Sequence, residues 1–148
     1  MKKFPAIFLL ISFACSDKSK YADETLALIG EMKDRRNTDS LLYFLRSENP
    51  VHRREAALAF ASVQDSLVSV DLGNVLLEDP DNEVRRNAAF ALGQTGGVQA
   101  VNALIPALED KDRTVAREAL EALGKSAGER DIHALTQFET EDTLLEEG

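Results

Sequence analysis

Tryptophan is absent from this 148-residue sequence, and cysteine occurs once. The seven phenylalanines and two tyrosines make up only 6% of the chain, so a sandwich of aromatic-rich strands is disfavoured. The single cysteine has no internal partner, which excludes a fold built on disulfides. Alanine and leucine supply most of the apolar content, and both favour closely packed helices.

Basic residues are also scarce, with 17 lysines and arginines against 26 aspartates and glutamates. The formal net charge of −9 argues against long-range attraction to nucleic acid or to an anionic bilayer surface. The charge supports solubility but selects no particular partner. The length allows one compact domain with a short leader or tail.

No apolar run is long enough to span a bilayer, which needs roughly 20 residues. The run "FPAIFLLISF" after "MKK" instead predicts a secretory signal peptide over residues 1–14. The segment "ISFACS" resembles the cleavage box of bacterial lipoproteins, although Ser12 stands where that family usually has leucine. The resemblance implies that Cys15 is lipidated, that residues 15–22 form a lipidated tether, and that the exported protein is anchored to a membrane of the bacterial envelope. The alternative is simple secretion with a free thiol at Cys15.

The stretch "VRRNAAFALGQTG" shows the helical pattern of the central chain. At 100° per residue, Val84, Ala88 and Leu92 fall on one side of a helix. Asp81 is placed to cap the helix start, and Gly93 to mark its end. Since no useful strand-like alternation occurs anywhere, the sequence predicts an all-α fold.

This helical sequence motif recurs along the chain. Arg54, Arg86 and Arg117 occupy equivalent positions, 32 and 31 residues apart. A polar turn ("SENP", "EDPDN" or "EDKDR") and an apolar stretch precede each copy, and a fourth apolar stretch, "DIHALTQF", begins at residue 131. Each unit is therefore predicted to contain a helix, a turn and a second helix. A repeat of 31 or 32 residues is typical of a solenoid.

The segments "DPDNEVRRNAAFALGQTGG" and "AVNALIPALEDKDRTVAREALEALG" resemble HEAT repeats of the short bacterial type related to phycobilisome-lyase repeats. The resemblance covers roughly residues 39–138 and implies a right-handed α-α superhelix of about three helix pairs with capping helices. Our domain prediction is a repeat domain over 23–139, beginning with a capping helix, and an acidic tail over 140–148. His52, Ala116 and Gly73 depart from the family pattern, and we expect Gly73 to weaken its helix.

No residue set predicts catalysis. His52 and His133 lie in different repeats, and a zinc or di-iron site needs at least three converging ligands. Some HEAT-like proteins are iron-dependent hydroxylases built on His-Glu pairs, and this sequence has no such pair. We therefore predict no metal, no cofactor and no enzymatic activity. A lyase- or hydroxylase-like enzyme of the same repeat family is the alternative, and a purely structural element of the envelope is a third possibility.

Arginines at the helix starts are the one recurrent polar feature. One interpretation is a basic stripe that recognises an acidic peptide, and the alternative is a structural role. In HEAT-like repeats the first arginine commonly joins neighbouring repeats, which here implies structural roles for Arg53 and Arg85. Their expected partners are the turn carboxylates Asp79, Asp81, Asp110 and Asp112.

A second set of positions predicts a partner-binding strip. In HEAT-like solenoids the second helices line the concave surface, which would place Leu58 beside Phe90 there. An apolar spot surrounded by arginines is typical of protein-binding hot spots, so the predicted partner is another protein and not nucleic acid. The alternative is that Leu58 and Phe90 only pack on each other. The strip comprises Arg54, Leu58, Arg86, Phe90, Arg117 and Glu121.

Overall fold

The computed structural model describes residues 23–126, and this part of the chain contains helices and turns without strands. Between residues 23 and 126 there are seven α-helices and two short 3₁₀ helices, Ser66–Val68 and Pro106–Glu109. The predicted leader, the tether with Cys15, His133 and the acidic tail lie outside the described residues. Between residues 23 and 126, no helix is long and apolar enough to cross a membrane. The α-helices are α1 (Glu24–Asp34), α2 (Thr38–Leu45), α3 (Pro50–Val63), α4 (Ser69–Glu78), α5 (Asn82–Thr95), α6 (Val98–Leu104) and α7 (Arg113–Ser126).

The helices stack as three successive pairs: α2 with α3, α4 with α5, and α6 with α7. The second helices of the pairs contact one another in sequence, and α1 packs on α3 to extend this row at its N-terminal end. The predicted all-α, HEAT-like solenoid with an N-terminal capping helix is thus confirmed. We call the outer surface of α1, α3, α5 and α7 the second-helix face.

Turn residues decide where the second helices begin. The Asp81 carboxylate accepts hydrogen bonds from the backbone N–H groups of Glu83 and Val84, as predicted for the cap of α5. The Asn49 side chain caps α3 in the same way, and Pro50 occupies the first turn, where its missing N–H costs no helical hydrogen bond. These caps fix the position from which each second helix projects.

Small apolar residues form much of the core between the first and second helices of the pairs. Val84, Ala88, Ala91 and Leu92 are fully buried, as the periodicity of α5 predicts. The buried cluster is continuous from α1 to α7. Because alanine side chains are short, neighbouring helix axes can approach closely, and each pair shields its apolar side against the next pair.

One prediction about glycine is wrong. Helix α5 does not end at Gly93 but continues to Thr95, and the turn is made by Gly96 and Gly97, whose φ angles are +69° and +86°. Gly93 is buried, and a Cβ atom there would lie 2.7 Å from the Cβ of Ala122 on α7. At Gly73 a Cβ would likewise lie 2.9 Å from that of Ala103 on α6. Both glycines therefore permit close contact between neighbouring repeats.

Candidate functional site

Arg53 and Arg85 each connect the turn of one repeat with the turn of the next. The Nε and Nη2 atoms of Arg85 donate to the two carboxylate oxygens of Asp110 at 2.8 and 2.9 Å, while Nη1 donates to the Asp79 carbonyl oxygen at 2.9 Å. Arg53 does the same with the Asp79 carboxylate, at 2.7 and 3.0 Å, and with the Ser47 carbonyl oxygen at 2.8 Å. Two equivalent forked bridges thus join three repeats.

The bridge between Arg85 and Asp110 is a buried ion pair whose two groups stabilise each other's charge. The Arg85 side chain is only 3% exposed, and its hydrogen bonds with Asp110 raise the arginine pKa further. Burial raises the pKa of Asp110, but the hydrogen bonds from Arg85 and from the Asp112 backbone N–H outweigh it and hold that pKa below its usual value. Both partners are fully engaged with each other, so this pair stabilises the stack and is not available to a ligand.

The other two turn aspartates serve mainly as helix caps. Asp81 caps α5 and lies 3.6 Å from Nη2 of Arg54. Asp112 accepts hydrogen bonds from the backbone and hydroxyl of Thr114 and from the side-chain amide of Asn82, and together these lower its pKa to about 2. Within residues 23–126 Asp112 forms no ion pair with an arginine, in contrast to the expected pairing.

The strip arginines contact acids on their own or the adjacent second helix. Nη2 of Arg86 lies 2.6 Å from Oε2 of Glu83, one turn earlier in α5. Nε of Arg117 lies 3.7 Å from Oε1 of Glu121, and both of these side chains are exposed on α7. Arg54 is half-buried, and its Nε atom has no hydrogen-bond partner in the described chain. Each of the three arginines thus has a carboxylate oxygen nearby, at 3.6 Å for Arg54, 2.6 Å for Arg86 and 3.7 Å for Arg117.

Leu58 and Phe90 line one groove on the second-helix face, as the predicted strip requires. The groove has a volume of about 330 Å³ and crosses α1, α3 and α5. Leu58 is 40% exposed there, while Phe90 is half-buried. Helix α1 contributes Leu26 and Lys33, which the sequence-based strip missed. The apolar spacing within α1 was visible in the sequence, but its stacking beside Leu58 was not.

Lys125 is a further residue that sequence reasoning missed. Its Nζ atom lies 5.2 Å from the centroid of the Phe90 ring, within the range of a cation–π contact. Lys125 follows Glu121 by one helical turn, and Glu121 is the α7 equivalent of Phe90, so the two share a face. This i+4 relationship was the available signal. The contact places a positive charge at the α7 side of the apolar spot.

His52 connects the cap of α1 to α3. Its Nε2 atom lies 2.8 Å from Oδ2 of Asp23, and the histidine side chain is only 14% exposed. The hydrogen bond with His52 is the largest cause of the lowered pKa of Asp23, followed by the bond from the Thr25 backbone. His52 thus packs at a helix start. Across residues 23–126, no three histidine, cysteine or acidic side chains converge as metal ligands.

Comparison with known proteins agrees with this geometry. A family model described as HEAT repeats matches residues 69–145, which is more than half of the chain. The match contains the α4–α5 and α6–α7 pairs with their bridging residues Asp79, Arg85 and Asp110. A search of curated proteins finds no match. The stacked helix pairs and the family match together show that the chain belongs to the HEAT-repeat family.

Proposed function

We propose that this protein is a non-catalytic scaffold that binds another protein on its second-helix face. HEAT repeats commonly mediate protein–protein interactions, which supports this class of function. Two residues of the predicted strip, Leu58 and Phe90, line the groove, and the apolar residues of the groove come from α1, α3 and α5. No residue constellation of the described chain favours an enzymatic function over this one.

The observation that carries the proposal is that Leu58, which is 40% exposed, and the half-buried Phe90 line one groove on the second-helix face. Apolar side chains bordered by charged groups are typical of protein-binding surfaces. The groove belongs to helices that are fixed by the buried core and by the Arg53 and Arg85 bridges. A partner would therefore meet a preformed surface, which lowers the entropic cost of association.

Membrane attachment is the second part of the proposal. We propose that the chain is exported and anchored through lipid on Cys15, as the likeness of "ISFACS" to a lipoprotein cleavage box suggests. Several acyl chains would hold the protein durably at the bilayer, since each buried methylene contributes about 0.8 kcal/mol. The Cys15→Ser variant should lose incorporation of radiolabelled palmitate and move to the non-membrane fraction. Equal membrane fractionation of variant and wild type would contradict anchoring.

Site-specific photocrosslinking tests the binding function. A photoreactive amino acid at Leu58 in the producing cell should yield a discrete protein adduct. The matched control is Leu77, which is 50% exposed but lies on the first helix α4. Adducts at Leu58 and none at Leu77 support the scaffold. No adduct at either position, or the same adducts at both, would contradict it.

A further inference from the structure

The outer side of α7 lies at the C-terminal end of the described stack. It carries Ala116, Leu120 and Gly124, which follow one another at intervals of four residues and therefore share one side of the helix. We propose that the chain's own C-terminal segment, residues 131–148, covers this side and that Leu145 packs against Leu120. The proposal concerns a surface other than the groove and goes beyond the scaffold function.

The equivalent side of α5 is the contact surface for the next repeat. It carries Arg85, Ala89 and Gly93, again at intervals of four residues. Arg85 bridges to Asp110, and a Cβ at Gly93 would meet Ala122. Ala89 lies between these two contacts and is fully buried. This side of a second helix is therefore where one repeat meets the following one.

Leu120 differs from its equivalents in exposure. Ala57 and Ala89 occupy the same repeat position and are both 0% exposed, whereas Leu120 is 62% exposed. A single exposed leucine is ordinary on a protein surface, but the end of a solenoid usually has a polar outer side that keeps it soluble. A large apolar residue at a position that the other repeats use for contact therefore indicates that a further segment covers it.

The repeat register continues in the sequence after α7. Ile132 and Leu135 stand 31 residues after Val101 and Leu104, and these two residues of α6 are only 6% and 0% exposed. The match to HEAT repeats likewise extends past α7, to residue 145. Residues 131–148 lie outside the described part of the chain, but their sequence carries the apolar spacing of a further unit. This makes them the occupant that the chain itself supplies.

The spacing of contacts between repeats selects the residue that meets Leu120. On the equivalent side of α5, the partner of Arg85 lies 25 residues later in the sequence, and the partner of Gly93 lies 29 residues later. The same spacing counted from Leu120 gives a window that begins at Leu145, and the residues after Leu145 are two glutamates and a glycine. Leu145 is thus the apolar residue of this window.

Disulfide trapping in the full-length protein tests the contact. Cys15→Ser removes the natural thiol, and Leu120→Cys/Leu145→Cys then introduces one pair. Because a disulfide needs Cα atoms about 4.4–6.8 Å apart, this pair should oxidise within one chain at least 10-fold faster than the control pair Leu67→Cys/Leu145→Cys. Leu67 is 85% exposed and lies in the 3₁₀ helix between α3 and α4.

A second pair on the same side of α7 guards against a local effect of the Leu120 substitution. Ala116→Cys/Leu145→Cys should also oxidise faster than the control, because the same spacing counted from Ala116 gives residues 141–145. Circular dichroism verifies that the variants remain folded. Oxidation of both α7 pairs at the rate of the Leu67 control would indicate random collision and overturn the proposal.

Thermal unfolding measures the burial of Leu120 independently. Leu120→Gln should lower the Tm by about 4 °C or more, because a covered leucine loses its apolar contacts. The matched control is Leu77→Gln on α4, where the leucine is 50% exposed, and its Tm should change less. Equal Tm values for the two variants would overturn the proposal.

Two other occupants would be recognised in the same experiments. Disulfides from Leu120→Cys that join two chains would identify a second copy as the occupant and overturn the assignment. A photoreactive amino acid at Leu120 that captures another protein, and not residues 131–148, would overturn it in favour of a partner. Leu120 is not among the residues that line the groove, so the Leu58 crosslinks test the scaffold function separately.

Discussion

At the scale of single residues, adjacent arginines in the sequence have different roles: one bridges two repeats and the next lies at the surface. Arg85 is buried and forked onto Asp110, whereas its neighbour Arg86 reaches the surface and contacts Glu83. One position of difference rotates a side chain by 100° around the helix. Two adjacent arginines of the same helix therefore become one bridging residue and one surface residue.

The Arg85→Ala variant should be strongly destabilised. It would leave the Asp110 carboxylate without its guanidinium and free the Asp79 carbonyl oxygen, and breaking a buried ion pair costs about 3–5 kcal/mol. Arg85→Lys should recover little, because lysine cannot form the forked contact. Urea unfolding followed by circular dichroism measures both effects.

Arg113→Ala provides the control for that experiment, since Arg113 is exposed at the start of α7. Its free energy of unfolding should remain within about 0.5 kcal/mol of wild type. If Arg85→Ala were as mild as this control, the bridge would not hold neighbouring repeats together.

At the scale of elements, glycine sets how closely α5 approaches α7. The nearest atoms to a Cβ built at Gly93 belong to Ala122, including its backbone Cα at 2.8 Å. Backbone atoms cannot yield as a flexible side chain can. The α5–α7 contact therefore depends on the missing side chain at this position.

Gly93→Ala should destabilise the protein by about 1–3 kcal/mol, the usual cost of overpacking a close contact. The matched control is Gly124→Ala at the equivalent position of α7, where an added Cβ meets no described atom within 4 Å. That variant should gain about 0.5–1 kcal/mol, because alanine is the better helix former. Differential scanning calorimetry compares the two, and a stabilised Gly93→Ala would contradict the close contact.

The sequence alone predicts the helices better than the distances between them. The start of α5 at Asp81 and its buried residues Val84, Ala88 and Leu92 follow from capping chemistry and periodicity. The role of Gly93 does not, because a glycine near a helix end reads equally as a terminator and as a contact point. Lys33 was missed for a related reason: a helical wheel reports a face but not the neighbour that the face meets.

At the scale of the whole molecule, hydrogen-bonded carboxylates make the fold sensitive to acid. Asp23, Asp110 and Asp112 all have pKa values below the usual value for aspartate. A carboxylate with a lowered folded-state pKa contributes stability above its unfolded pKa, and that contribution is lost as the pH falls through the folded pKa. Acid should therefore destabilise the stack through its turns.

The unfolding free energy should fall between about pH 4 and pH 2, the window between the ordinary pKa of Asp112 and its folded value of about 2. Asp112→Asn should flatten part of this slope while keeping the cap of α7, since asparagine also caps helices well. Thr114→Val, which removes the hydroxyl donor to Asp112, should flatten it less. Urea titrations at a series of pH values measure the slope, and identical slopes in all three proteins would contradict the assignment.

The forked bridges also give the three repeats an order. The first repeat supplies Arg53 but has Ser47 at the position of Asp79, and the third supplies Asp110 but has Ala116 at the position of Arg85. Only the middle repeat carries both halves of the bridge. A gene duplication that copied this middle unit would lengthen the protein and give every bridging arginine an aspartate partner. Copying the first unit would instead place a serine opposite one of the bridging arginines. Growth and shrinkage of the array during evolution are therefore easiest from the inside, by whole middle units.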